Sequence, residues 1–379
     1  MRKYFSKSAL AATLILTLST GVLVPAHTEA SSILGNVLGS VIAGVSAMNQ
    51  VNAQIKQIDN EQRDEFYGQI KDKYGVCYDA APNEQLDRIM SRLTPVIAQY
   101  DPSVKEKPYN YFVNNQTSFN AFCTLGHNLS VNKGLFDALN YQEDEIAFVL
   151  GHELAHGTHN DPANGVKKQV GVQVLTSIVA SSIGGGTLAN LGSAIAANLG
   201  TAKGITLPME KRADKDAFTY CSEAGYNVGA GAAVWQRIIE STEQDKKSMS
   251  TINQLFNPSD HPKHVNRRDD YAKTINAYSN KMVSIDAETG TISVNKVKIG
   301  IPAAAYGMSS KERSYFVAGD IASVYHADGK LRPQAHATYN TLYLGDVAVM
   351  ALTSKDDASQ WVSNLNMANA KSKSKSKSK

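Results

Sequence analysis

Cysteine is scarce: three residues in 379, with no Cys-x-x-Cys pair among them. Neither a disulfide-built scaffold nor a structural zinc finger can be made from that set. Long apolar runs are also missing. Ala9–Val24 and Val170–Ile183 are mainly apolar, but both fall short of the ~20 residues that cross a bilayer unaided. Hydrophobic residues at 42% and charged residues at 19% exclude wholesale disorder, collagen-like repeats and a polytopic membrane protein. Strong charge of one sign is absent as well. The formal +3 sits at the ends: Arg2, Lys3 and Lys7 against Glu29 at the start, and five lysines in the last nine residues. Without them the body is net −4, which argues against nucleic acid as a partner.

The two ends read as address and tail. Residues 1–30 have a positive start, an apolar run broken by Pro25, and small residues at Thr28 and Ala30 before Ser31, the pattern of a secretory signal peptide. Export places the body in the periplasm or outside the cell, at the envelope, where disulfides persist. Cys77, Cys123 and Cys221 then form either one pair and one thiol, or three buried thiols. Residues 369–379, ending in alternating lysine and serine, read as a disordered tail, solvated or tethered to anionic envelope polymers.

Between the ends, hydrophobic spacing sets the elements. Leu86, Ile89, Met90, Leu93 and Ile97 predict an amphipathic helix over Ala81–Ala98, with Asn83 as its start. Tyr109–Val113 and Ala121–Val131 read as strands, the second folded into a hairpin around Gly126-His127-Asn128. Helices are expected at Gln142–Thr158, Pro208–Ala224 and Ala230–Glu243. The insert 184–204 is rich in glycine and alanine. It serves as a lid or as a connector, and its apolar approach, 170–183, offers contact with an envelope or membrane surface. After Tyr278 the pattern alternates, through Met282–Ile299, Tyr315–Ala322 and Thr341–Leu352. Residues 280–368 therefore read as a smaller, mainly β region behind a domain spanning 31–279.

The chemistry lies in Gly151-His152-Glu153-Leu154-Ala155-His156. On a helix, His152 and His156 project from one face and can grip one zinc ion, while Glu153 can take a proton from water and pass it to a leaving amine. A catalytic site needs a third protein ligand. The extended motif with a third histidine fails, because His159 and Pro162 occupy the required glycine and histidine positions. His159 reads as a helix-end residue. Glu210 and Asp214, one turn apart, can supply an oxygen ligand and a partner for a ligand histidine. The same spacing also suits a solvent-facing pair bridged to Lys211 or Arg212.

With these motifs in order, the chain resembles the HtpX-like and CAAX-prenyl-protease-like zinc metallopeptidases, and more closely their soluble, exported bacterial branch of the BepA and LoiP type. The resemblance covers roughly residues 80–275. It is carried by Asn120-Ala121-Phe122 with Gly134-Leu135, by the H-E-x-x-H at 152–156, by Glu210-x-x-x-Asp214 with Ala224-Gly225-Tyr226, and by His261-Pro262 with Arg267. It implies an α+β fold: a mainly α zincin domain of gluzincin type with a small active-site β-sheet. It also implies one zinc ion per chain, Glu210 as third ligand and Asp214 behind the ligands. Two departures stand out. Lys-Arg-Ala-Asp follows Glu210 where the family often has x-E-A-D, and Cys123-Thr124-Leu125-Gly126-His127 replaces the commoner Ala-x-Pro-Gly-Gly.

A protease of this kind holds its substrate as an added strand. Asn120, Ala121, Phe122 and Cys123 are the candidate edge, and extended or unfolded envelope proteins the candidate substrates. Two roles are open to His261: a donor to the developing oxyanion, or a block on the zinc. Arg267 holds that loop, or pairs with Asp214 or a substrate carboxylate. Arg268 reads as its solvated neighbour. A non-proteolytic assembly factor and a zinc amidase of cell-wall material are the competing functions.

Overall fold

The computed structural model describes Asn49 and residues 52–169, 206–244 and 264–376. The signal segment, the insert 184–204 with its approach 170–183, and His261 lie outside the described residues. Helix α1, Arg63–Tyr74, leads into α2, Ala80–Tyr100. The expected apolar stripe of α2 is buried, with Leu86, Ile89, Met90, Leu93 and Ile97 at 1% exposure or less. The helix begins three residues earlier than the sequence suggested, behind Asp79. Pro82 falls in its first turn, where a missing N–H is no loss.

Strands β1 (Asn110–Asn114), β2 (Ala121–Thr124) and β3 (Asn128–Asn132) form one sheet in the order β1-β3-β2. β1 runs parallel to β3, and β2 pairs antiparallel with it. β2 is therefore an edge strand. Helix α3, Glu143–Thr158, crosses this edge. Gly157 makes the approach possible: a Cβ there would stand 2.7 Å from Cys123 Sγ. On its other side α3 packs along α5, Leu207–Glu223, behind the short α4, Asp161–Gln169. Gly151 has the same role here, since a Cβ would lie 3.1 Å from Cys221 Sγ. Helices α6 (Ala230–Gln244) and α7 (His264–Tyr278) complete the layer. Cys77, Cys123 and Cys221 are all free and buried.

Beyond Tyr278 the chain repeats itself. β4 (Val283–Ile285), β5 (Ile292–Val294) and β6 (Val297–Gly300) form an antiparallel meander followed by α8, Ser310–His326. β7 (Ala335–Thr338), β8 (Thr341–Leu344) and β9 (Val347–Ala351) form a second meander, followed by α9, Ala358–Ser376. The register shift falls at matching places, between Ile292 and Ser293 and between Leu342 and Tyr343. The inward residues match too: Ile292, Val294 and Ile299 in the first, Leu342, Leu344 and Val349 in the second, all at 2% exposure or less. Packing is reciprocal. α8 lies on β4 and β9, and α9 on β7 and β6, as a two-fold axis between the copies would produce.

Two expectations are corrected here. The region 280–368 is not mainly β, because each meander carries a helix. Tyr315–Ala322 lies inside α8: Tyr315, Ala318, Ile321, Ala322 and Tyr325 are buried at three-and-four spacing. Ser309 caps that helix by accepting from the Glu312 N–H at 3.1 Å. The aromatic and branched residues suggested a strand, but the cap and the period specify a helix. The tail placed at 369–379 is helical as far as Ser376. Among the described residues, no helix is long and apolar enough to cross a membrane.

α8 is linked to the first turn of α3 through Asn227 and Arg237. Asn227 donates its backbone N–H to Asp144 (2.8 Å) and its side-chain amide to Asp320 (2.8 Å). Arg237 donates to Glu145 (3.1 Å) and to Glu312. Burial, with the nearby charge of Asp144, raises the Asp320 pKa to about 8. Its folded pKa thus exceeds the ~3.9 of an unfolded aspartate, so its contribution to stability is full below about pH 4 and is lost as pH rises to about 8. Asp320→Asn keeps the acceptor for Asn227 and removes the ionisation. Thermal melts should show the variant about 1–2 °C above wild type at pH 8, a shift that roughly 1 kcal/mol produces in a chain of this size, with the gap closing by pH 4–5. A gap independent of pH would refute this assignment.

Candidate metal centre

The site is built where α3 and α5 face each other. One turn of α3 separates His152 from His156, and both rings are buried. The first turn of α5 contributes Glu210, at 2% exposure. His152 Nε2 and His156 Nε2 are 3.1 Å apart, and the Glu210 carboxylate oxygens lie 3.5 and 3.3 Å from them respectively. The donor atoms of His152, His156 and Glu210 all lie within 4.8 Å of one another, close enough to hold a single metal ion.

The outer nitrogens decide what the inner ones offer. His156 Nδ1 lies 2.9 Å from Asp161 Oδ2, and His152 Nδ1 lies 3.0 Å from Asp214 Oδ1. Arg267 Nη2 also lies 3.0 Å from His152 Nδ1. Its guanidinium already donates twice to Asp214, from Nε at 2.8 Å and from Nη2, so we assign the Nδ1 proton of His152 to the aspartate. Both Nε2 lone pairs then point at each other and at Glu210. Acceptors brought this close in a buried site are satisfied by a cation. Burial disfavours the charged form of His156, but its bonds to Asp161 and Glu210 outweigh this and raise its pKa to about 10. The His152 pKa is raised as well: burial and Arg267 oppose the charge, and Asp214 and Glu210 favour it more.

Further groups brace the ligands. Arg267 stacks 3.8 Å over the Trp235 ring, and Tyr271 donates to Asp214 at 3.2 Å. Arg212 lies 2.5 Å from Asp161, so it bridges to neither Glu210 nor Asp214. This residue stands where the chain departs from E-x-E-A-D. Asp161 is held below the usual carboxylate range: burial raises its pKa, but His156 and Arg212 lower it more. His159 sits at the end of α3 and pairs with Asp216 at 2.6 Å. Arg268, expected to be solvated, is buried instead and donates to Gln236 at 3.0 Å.

Glu153 points from α3 toward β2. The Cys123 backbone N–H bonds to its carboxylate, while burial, outweighing that bond and the two histidines, raises its pKa. Ala121, Phe122 and Cys123 are buried on β2, and Asn120 accepts from the Asn132 N–H at 3.0 Å just before it. Beside His152 and Glu153 opens a small cavity of about 20 Å³, walled mainly by Phe119, Phe148, Val234, Trp235, Ile238 and Tyr271.

Sequence reading named His152, Glu153, His156, Glu210, Asp214 and Arg267, and the fold brings these six together. It missed Asp161, Tyr271 and the cavity wall. Asp161 is five residues after His156, across a turn in which Asn160 has φ 52°, so one-turn spacing could not reveal it. A polar residue opening the next helix was the only available signal.

The model of one protein family, peptidase family M48, matches residues 80–274, the stretch that contains every residue of this site. Among curated proteins, the chain is similar to the putative beta-barrel assembly-enhancing protease of Vibrio cholerae, 25% identical over 188 residues, 47% of this chain and 37% of that protein. It is similar to the beta-barrel assembly-enhancing protease of Escherichia coli K12, 24% identical over 163 residues, 43% of this chain and 30% of that protein. The Yersinia pestis protein of that name is 22% identical over 202 residues, 50% of this chain and 40% of its own length. The chain thus spans less than half the length of these relatives. The family match covers more than half of the chain, and the chain belongs to peptidase family M48.

Proposed function

We propose that this chain is an exported zinc metalloendopeptidase of gluzincin type that hydrolyses extended or misfolded envelope proteins. The observation that carries this reading is the convergence of His152, His156 and Glu210 beside Glu153, next to a sheet edge that has no strand partner on its outer side among the described residues. Those three residues would hold the zinc ion. When bound, zinc supplies Lewis acidity that polarises a carbonyl and makes hydroxide available near neutral pH.

The remaining steps belong to the chain's own groups. Glu153 takes the proton of the attacking water and delivers it to the leaving amine. Its raised pKa suits both halves of that task. β2 offers main-chain hydrogen bonds to a peptide laid beside it, with Asn120, Ala121, Phe122 and Cys123 as the receiving edge. Such bonds select for extended chain rather than for sequence, and unfolded proteins supply it. The names of the curated relatives refer to assembly of β-barrels, and the same class of substrate is proposed here. The apolar cavity receives one side chain next to the scissile bond, because His152 and Glu153 form part of its rim.

Two measurements test this reading. Cleavage of an unfolded protein such as casein should stop on addition of a chelator. Glu153→Gln should lower turnover by about 10²–10⁴-fold, the usual contribution of a positioned acid–base group, while zinc content stays at wild type. Undiminished cleavage by Glu153→Gln, or none by zinc-loaded wild type, would remove the peptidase reading. In a peptide library, a small apolar residue such as alanine at one position flanking the cut should improve kcat/KM over glycine by about 3–10-fold, the effect of burying roughly 0.8 kcal/mol per methyl-sized group. Equal cleavage across residue types at both flanking positions would show that the cavity is not a subsite.

A further inference from the structure

Two aspartate–arginine pairs stand behind the two histidines. Behind His152 the order is Asp214, then Arg267, with Asp214 Oδ1 3.0 Å from Nδ1. Behind His156 it is Asp161, then Arg212, with Asp161 Oδ2 2.9 Å from Nδ1 and Oδ1 2.5 Å from the Arg212 guanidinium. The arms are alike in composition and unlike in setting. Arg267 is 4% exposed, sealed by Trp235 and Tyr271, whereas Arg212 is 42% exposed above an Asp161 carboxylate that is 1% exposed.

We infer that Asp161 and Arg212 form a positioning pair for His156. The carboxylate fixes the proton on Nδ1, turns the Nε2 lone pair toward Glu210 and His152, and strengthens that nitrogen as a ligand. The guanidinium holds the carboxylate in place. This rests on the reading of His152, His156 and Glu210 as metal ligands, and no part of it follows from the His-Glu-x-x-His spacing. Glu210, Arg212 and Asp214 share the first two turns of α5. That helix therefore supplies the carboxylate ligand, the partner of one histidine, and the arginine that steadies the partner of the other. A purely structural alternative exists: Asp161 opens α4, and a carboxylate there favours the helix N-terminus. That alternative affects stability but leaves metal affinity unchanged.

The test uses the purified full chain, stripped of metal and titrated with zinc against a chromophoric chelator, with cobalt(II) substitution as a spectroscopic readout. Asp161→Asn should weaken zinc binding by about 10–100-fold, the range for partners of metal-ligating histidines, and should shift the visible cobalt bands. Arg212→Gln should weaken binding less, in the same direction. Asp216→Asn, which breaks the His159 pair at the end of the same helix, should leave both readouts at wild type. If Asp161→Asn fails to fold, Arg212→Gln decides, because its side chain is largely at the surface. Zinc affinity within about threefold of wild type, with an unchanged cobalt spectrum, would overturn the inference. Failure of the wild-type chain to bind zinc would instead overturn the metal reading on which it depends.

Discussion

Everything at this site follows from placing like charges together away from water. Glu153, Asp161, Glu210 and Asp214 bring four carboxylates to one region between α3, α4 and α5, and Arg212 and Arg267 bring two guanidiniums. With neutral imidazoles the balance is −2. A divalent ion between His152, His156 and Glu210 cancels it, and so do two protons on the rings. This explains why both histidine pKa values are raised. Burying uncompensated charge is costly, so the arrangement favours a cation at this point. Asp161, Asp214 and their arginines therefore bear on the charge around His152, His156 and Glu210 as well as on their orientation.

That arrangement needs three elements in close contact, and small residues provide it. Gly151 and Gly157 face opposite neighbours along α3. One admits α5, which carries Glu210 and Asp214. The other admits β2, whose Cys123 N–H reaches Glu153. Glu153 is thus fixed between the cluster of His152, His156 and Glu210 and the edge strand β2. The cavity walled by Phe119 and Trp235 opens beside the same Glu153. α3 is also held at both ends. Its first turn is tied by Arg237 and Asn227, and its last residues by the pair of His159 with Asp216.

Much of this was legible from local rules. The i, i+4 relations of His152 with His156 and Glu210 with Asp214 survive because helical geometry alone enforces them. The stripe of α2 and the hairpin of β2 and β3 are read the same way, from period and turn residues. Asp161 was hidden by the turn between two helices. The burial of Arg268 was hidden because its partner Gln236 lies on another helix. α8 was misread because Tyr315, Val317 and Ile321 favour strands by type, whereas Ser309 and Glu312 specify a helix start by position. The repeat escaped notice because its copies share pattern rather than residues: Ile292 matches Leu342, and Ile299 matches Val349.

The repeat also separates what the fold requires from what the site requires. Aligned on their caps, Ser309 with Asp357, the two helices place Glu312 against Gln360 and Asp320 against Ala368. A buried carboxylate at these positions is therefore not needed to pack a helix on these sheets, since α9 manages with neutral residues. Only α8 touches the loop before α6 and, through Asn227 and Arg237, the first turn of α3. The two acids are peculiar to the copy that bears on the metal helix. Through Asn227 and Arg237, the C-terminal region is thereby bonded to the turn of α3 that precedes His152 by two helical turns.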